Sequence, residues 1–414
     1  MDGEAGRATT PAVDPPTRRV AASVVGLGVT QMIGWGTSFS SMAVLGRTIG
    51  SDLDMPREAV FAGITIMLVV SGLLSPVCGR RLDRDGPRHL MATGALFAAA
   101  ALLCMSLARG PLLFWIGWML FGAYVPMGLS NVAVPAVVQI AGPSARRAVT
   151  GLTIIGGVTS SLFMPITASL DALFGWRMTL LVFATLHLLI ALPIVLRILP
   201  RGRPDRRPTA ESKDAPWKGI VPAHLHNRAF WLIVAWSCLE GILVWGFNMQ
   251  AIDVFRGAGL STEVAIAAWM FSGPCQALAR TIEFAFAGRY PIIVTAVVSV
   301  VLAPIGFAVV FTLGINPTTA AGLAICYGLG HGLYTVARNM LPLKLFGLET
   351  FGATMGRLAL PQSLANAVAP ILFAALISRA GATAALAMSA AVTVASLIVV
   401  LMLARTVKGV ERGA

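Results

Sequence analysis

Six ionisable side chains fall inside apolar stretches in the second half of the sequence: Glu240, Arg280, Glu283, His331, Arg338 and Arg357. An ionisable group in hydrocarbon is costly, so it faces a bundle interior or cavity, pairs with an opposite charge, or serves a pathway. The interior of the first half is expected to hold none. A rise of ~1.5 Å per residue puts Glu240 ~16 Å into its stretch and His331 near the middle of its own. Arg280, Arg338 and Arg357 all fall ~8–11 Å from the face at which the stretch of Glu240 begins. The expectation is a central layer holding Glu240 and His331, with an arginine layer nearer one face.

Each group has two readings. A guanidinium offers bidentate geometry to a carboxylate or phosphate, so Arg280 suits an anionic ligand, with Gln276 four residues earlier on the same helical face. Glu283, three residues on, and Glu240 offer Arg280 an internal ion pair instead. Buried charges are generally paired, which favours that pairing. Glu240 is a proton-coupling candidate or a permanently ionised partner for an arginine. His331, in Tyr327-Gly-Leu-Gly-His-Gly-Leu-Tyr334, is the second proton-coupling candidate or a hydrogen-bonded structural histidine. Uncharged polar residues in the apolar stretches are candidate cavity contacts or packing contacts: Gln31, Trp35, Ser38, Tyr124, Asn131, Asn248, Gln362 and Asn366. His224 and His226 have no further ligand near them, so no metal and no cofactor is expected.

Positioning these residues takes a lipid bilayer. Of the 414 residues 57% are hydrophobic and 12% charged, against about 25% charged in soluble domains. Apolar stretches long enough to cross ~30 Å of hydrocarbon recur along the chain. The breaks between them leave twelve approximate spans: 20–47, 58–79, 89–108, 112–141, 146–170, 176–198, 229–254, 263–287, 291–313, 318–345, 352–378 and 381–404. The fold class expected is an all-α polytopic membrane protein. Residues 199–228, rich in Pro and basic side chains, read as a solvated linker, with tails at 1–19 and 405–414. With both termini cytoplasmic, 22 of the 31 Lys and Arg lie on that side, six lie outside and three inside spans. That asymmetry follows the positive-inside rule. The charge of +13 is thus spread over short loops, and nucleic acid is not expected as a partner. Residues 1–19 lack the apolar core of a signal peptide, so the first span is expected to be retained. The five cysteines show no pairing or metal spacing.

Sliding the second half back by 205 residues superposes Gly142 on Gly347, Ala148 on Ala353, Gly151 on Gly356, Pro165 on Pro370 and Glu58 on Glu263. Two six-helix halves, 20–198 and 229–404, repeated in parallel, are expected, with a substrate site between them near mid-membrane.

Charge is dense in one place besides the linker. Six of the nine residues from Arg80 to Arg88 are charged, between spans 2 and 3. The stretch resembles the loop 2–3 signature of the major facilitator superfamily, roughly G-x-L-A-D-R-x-G-R-K-x-x-L. Gly79, Asp83, Arg84, Gly86 and Arg88 fit it, with Arg81 at the Leu position and Pro87 at the first basic position as departures. The resemblance implies two six-helix bundles that rock about a central cavity. It also implies that Asp83 packs near the start of span 11 in the opposite half, at the positive end of that helix and near Arg357, as a gating contact. Two patterns of drug:proton antiporters are missing: span 4 holds Trp118 before Gly122 and no Arg, and span 5 has no G-P-x-x-G-G run. Gly34-Trp-Gly-Thr-Ser-Phe39 resembles span 1 of carboxylate porters and of relatives linked to siderophore or arsenical transport.

No phosphate-binding loop, zinc spacing or soluble ATPase-sized region is present in the sequence, so catalysis is not expected. The reading is a secondary transporter of a small, carboxylate-like organic anion, working by alternating access in the inner (cytoplasmic) membrane as a functional monomer. It is driven by the gradient of its substrate or of a coupled proton. The alternatives are efflux of a toxic or drug-like compound, arsenicals included, and a membrane sensor that has lost transport.

Overall fold

The computed structural model describes residues 15–202 and 219–413, and every regular element in them is a helix. Twelve crossings result. Span 1 is Val20–Asp52, span 2 Arg57–Asp85, span 3 Pro87–Ser106 and span 4 Pro111–Gly128 continued by Ser130–Ala141. Spans 5 and 6 are 145–174 and 176–198, and span 7 is Ala223–Gly257. Span 8 is Thr262–Trp269 with Ser272–Phe286, span 9 Ile292–Leu313 and span 10 Pro317–Phe346. Spans 11 and 12 are 351–380 and 382–408.

The turns follow from residues that cannot continue a helix. Prolines sit in the first turn of spans 3, 4 and 10, where a missing N–H costs nothing. Span 10 also has a capping box, in which Asn316 Oδ1 accepts from Thr319 N and Thr319 Oγ1 accepts from Asn316 N. Tight reversals fall on glycines in the left-handed region: Gly142 (φ 51°) and Gly347 (φ 84°) before spans 5 and 11, Gly175 (φ 76°) and Gly381 (φ 80°) before spans 6 and 12. These are matching places in the two halves, so the repeat is carried in backbone geometry. Spans 1 and 7 match again: each widens into a π-helical stretch, Gly36–Ser40 and Leu243–Asn248.

Several boundaries differ from expectation: span 1 runs on to Asp52, and the last helix runs to Gly413 through the stretch expected as a tail. The charged stretch after Gly79 stays helical to Asp85, because Arg, Leu and Asp tolerate a helix in water and only Gly86 (φ 82°) with Pro87 ends it. Span 7 begins at Ala223, inside the stretch expected as linker. Of that stretch, 203–218 lie outside the described residues, as do 1–14 of the N-terminal tail.

Residues 199–202 and 219–222 mark one end of the bundle, here the linker end. There Ile220 N donates to Lys344 O (3.3 Å) and Val221 N to Leu345 O (3.2 Å). A single apolar core joins both halves at this end, with Cys78, Leu82 and Val149 packed among Trp236, Met340 and Met355. Further along, each half keeps its own core. One is built on Ile33, Phe114 and Phe183, touched by Trp245 and Ala367 of the other half. The other is built on Phe247, Phe307 and Phe373. The halves are therefore fused at the linker end and diverge towards the opposite end. Large apolar side chains such as Leu112, Leu173, Leu189 and Leu313 are exposed on the outside, as expected where lipid is the solvent.

Candidate functional site: a cavity with arginines and without acids

A cavity of about 430 Å³ lies between the halves. The first half contributes Gln31, Trp35, Phe39 and Asn131. The second contributes Trp245, Arg280, His331, Arg338, Gln362 and Asn366. No Asp or Glu is among the described residues that line it.

Arg280 is 8% exposed. Its Nε donates to Thr335 Oγ1 (3.2 Å), its Nη2 to Gln276 Oε1 (3.4 Å) and its Nη1 to the Thr153 carbonyl of the opposite half (3.5 Å). Arg338 donates from Nη1 to Asn339 Oδ1 (3.2 Å) and from Nη2 to Gln362 Oε1. Every one of these acceptors is neutral. A guanidinium has five N–H donors, so both arginines keep donors to spare, and neither makes an ion pair among the described residues. Gly157 leaves room for Arg280: a Cβ there would lie 2.5 Å from Nη1.

The ion pair favoured for Arg280 does not form. Glu283, fully buried, is taken by Arg146 at the head of span 5, across the interface between halves. Arg146 Nε and Nη2 donate to Glu283 Oε1 at 2.8 and 2.6 Å. Nη1 donates to the Tyr290 carbonyl (2.5 Å), and Tyr290 Oη donates to Glu283 Oε2 (2.6 Å). Thr295 Oγ1 accepts from Arg146 Nη2 (2.9 Å). The carboxylate faces the loop between spans 8 and 9, so three residues along the helix were too few to decide its partner.

The other proposed cavity residues divide. Gln31 donates to the Gly128 carbonyl (2.8 Å) from the cavity wall, and His331 sits between Tyr327 and Tyr334 with ring centroids 5.8 and 5.6 Å away. His331 Nδ1 is buried without a hydrogen-bond partner. Gln362 Nε2 donates to Tyr334 Oη (3.3 Å), and Asn366, its amide turned to accept, takes Trp245 Nε1 at 3.1 Å. Gln276 reaches the site only through Arg280. Four others turn away. Glu240 is buried against span 12, where Ser396 Oγ donates to its Oε1 at 2.6 Å. Tyr124 packs on Phe121 and His187 (5.1 and 5.3 Å), Asn248 accepts from Trp269 Nε1 (3.2 Å), and Ser38 bonds the Gly34 carbonyl (2.7 Å). The central layer expected from Glu240 and His331 is therefore not a layer of the cavity: only His331 lines it.

At the linker end Asp83 accepts from the backbone N–H groups of Gly352 (3.0 Å) and Ala353 (2.7 Å), at the head of span 11. A carboxylate is favoured there by the unsatisfied N–H groups and the helix dipole. Gly79 lies against the Gly352 carbonyl, where a side chain would collide. Arg357 lies over the Phe230 ring at 4.8 Å. Arg84 is exposed, 3.6 Å from Asp85, and Arg88 is half-buried.

The first half does hold an interior ionisable residue. His187, fully buried in a π-helical turn of span 6, shares a hydrogen bond of 3.0 Å with Thr37 Oγ1 in the widened stretch of span 1. Its position, eleven residues into 176–198, is legible in the sequence. The Arg146 contact also had a signal. Adding 205 to Asp83 lands on Gly288, in the loop that Arg146 reaches, and subtracting 205 from Ala353 lands on Ala148.

The comparisons agree with this architecture. The Major Facilitator Superfamily model matches residues 26–356. An uncharacterised 38 kDa protein in the 23S RNA operon of Thermoproteus tenax is 28% identical over 364 residues, covering 84% of this chain and 88% of that protein. Among solved structures, the human organic anion transporter MFSD10 (TETRAN) superposes with a TM-score of 0.71 at 15% identity, covering 94% of this chain and 100% of that one. The proton:xylose symporter XylE superposes at 0.72 with 12% identity, covering 92% and 95%. The E. coli fucose:proton symporter FucP superposes at 0.66 with 15% identity, covering 94% and 99%. A transmembrane bundle of twelve helices in two repeated halves, closing on a small-molecule cavity, and a family match over most of its length place this chain in the Major Facilitator Superfamily, as a secondary transporter.

Proposed function

We propose that the protein carries a small organic anion, with a carboxylate held by Arg280 and Arg338, by alternating access about the cavity. The observation that carries this reading is two buried or half-buried guanidiniums lining a cavity with no acid among the described residues of its wall. At an effective dielectric near 20, a unit anion ~4 Å from one guanidinium gains about 4 kcal/mol. A neutral substrate would leave both cations uncompensated, and a cationic drug would meet repulsion. The proposed setting is the inner membrane, with the basic linker end and both termini on the cytoplasmic side and the bundle closed towards the cytoplasm. One chain supplies both halves and the whole cavity, so a monomer is the functional unit.

If a proton is coupled, Glu240 is its proposed carrier: it is buried, bonded to Ser396, and makes no ion pair among the described residues. His331 is the second candidate. The test is uptake of labelled carboxylates into proteoliposomes by wild type and Arg280→Gln. Loss of anion transport with intact membrane insertion supports the reading; unchanged transport overturns it.

A further inference from the structure

The cavity is sorted by chemistry along the membrane normal, and the sorting narrows what anion fits. The ladder that shows it runs along span 11. Gln362 accepts from Arg338, and one turn further from the linker end Asn366 accepts from Trp245 Nε1 at 3.1 Å. Four residues of helix rise ~6 Å, so a charge-binding step and an indole are held one turn apart on the same helix. Span 10 gathers the charge step: Thr335 accepts from Arg280 of span 8, Arg338 follows Thr335 by one turn, and both guanidiniums line the same cavity. Span 1 completes the indole step. Trp35 and Phe39 are stacked with centroids 5.1 Å apart, and Phe39 meets Trp245 at 4.8 Å. All three rings line the cavity.

We infer that the substrate is an aromatic monocarboxylate, its carboxylate on Arg280 and Arg338 and its planar ring against Trp35, Phe39 and Trp245. This deepens the anion reading and rests on it. A single carboxylate matches two guanidiniums, one from span 8 and one from span 10, whereas a second carboxylate would be pushed into the rings, where no further Arg or Lys is among the described residues of the wall. Ring faces prefer offset or edge-on aromatic partners, and the three cavity rings already stand at interplanar angles of 28° and 58°. A short aliphatic acid would fill the charge step and leave these rings wet or empty.

The experiment uses the purified full chain and three related probes: phenylacetate, acetate, which lacks the ring, and phenylacetamide, which lacks the charge. Binding is read by thermal shift titration and transport by labelled phenylacetate uptake into proteoliposomes. Phenylacetate is expected to bind about tenfold more tightly than acetate and than phenylacetamide. Trp245→Leu should weaken phenylacetate about tenfold and leave acetate unchanged, while Arg338→Gln weakens both carboxylates. Trp245→Phe, which keeps a ring, should stay within about threefold of wild type, and Trp35→Leu reads the same ring step if Trp245→Leu does not fold. Acetate binding as tightly as phenylacetate, or equal losses of the two in Trp245→Leu, overturns the aromatic inference and leaves the anion reading standing. Phenylacetamide binding as tightly as phenylacetate overturns both. Absence of binding by all three also overturns the inference.

Discussion

Arg146 and Arg280 are the same residue type on facing spans of the two halves, and the protein treats them oppositely. At the linker end Arg146 is neutralised by Glu283 and enclosed by Tyr290 and Thr295. One turn deeper into the membrane Arg280 holds three neutral acceptors and faces a cavity. The paired arginine closes the protein on itself, while the unpaired ones leave charge for something that comes and goes. The presence or absence of a carboxylate, and not the residue type, separates a structural cation from a binding one.

That comparison can be broken from either side. The largest effect is expected from Arg280→Gln combined with Arg338→Gln, which should cut anion transport by about a hundredfold or more while the melting midpoint stays near wild type. Glu283→Gln should do the reverse. It leaves Arg146 buried without a counter-charge, a loss of about 3–5 kcal/mol, and should lower the melting midpoint and raise labelling of cysteines placed at the linker end. Gln276→Glu sharpens the contrast, since it hands Arg280 the acid it lacks. Anion transport should fall about tenfold with thermal stability kept, and unchanged transport would show that the charge of Arg280 is not the binding element. Asp83→Asn is expected to be mildest. One charge on the head of span 11 is worth about 0.3–1 kcal/mol, so turnover should drop a few-fold with KM preserved. A change in substrate preference would speak against its gating role.

The fold was largely legible because hydropathy, Pro/Gly breaks and loop charge are each written locally. Gly142 and Gly347 even carried the repeat, since both need a left-handed backbone at matching turns. The site was legible as composition and not as geometry. A span enclosed by protein on most sides has no polar stripe to show which way it faces. So Glu240 and Asn248 looked like cavity residues and turned to spans 12 and 8, while Arg280 and Gln362 turned inwards. Glu283 found its partner 137 residues away in the opposite half, which no helical spacing could announce. His187 needed only to be noticed.

The most direct test of the central claim is thermal stabilisation of the purified full chain by carboxylates and their matched neutral amides. Wild type should be stabilised by several degrees by at least one carboxylate at ~100 times its dissociation constant, and clearly less by the matched amide at the same concentration. In the Arg280→Gln, Arg338→Gln double variant the carboxylate should lose this advantage over the amide. Equal stabilisation of wild type and the double variant by the same carboxylate would contradict the account.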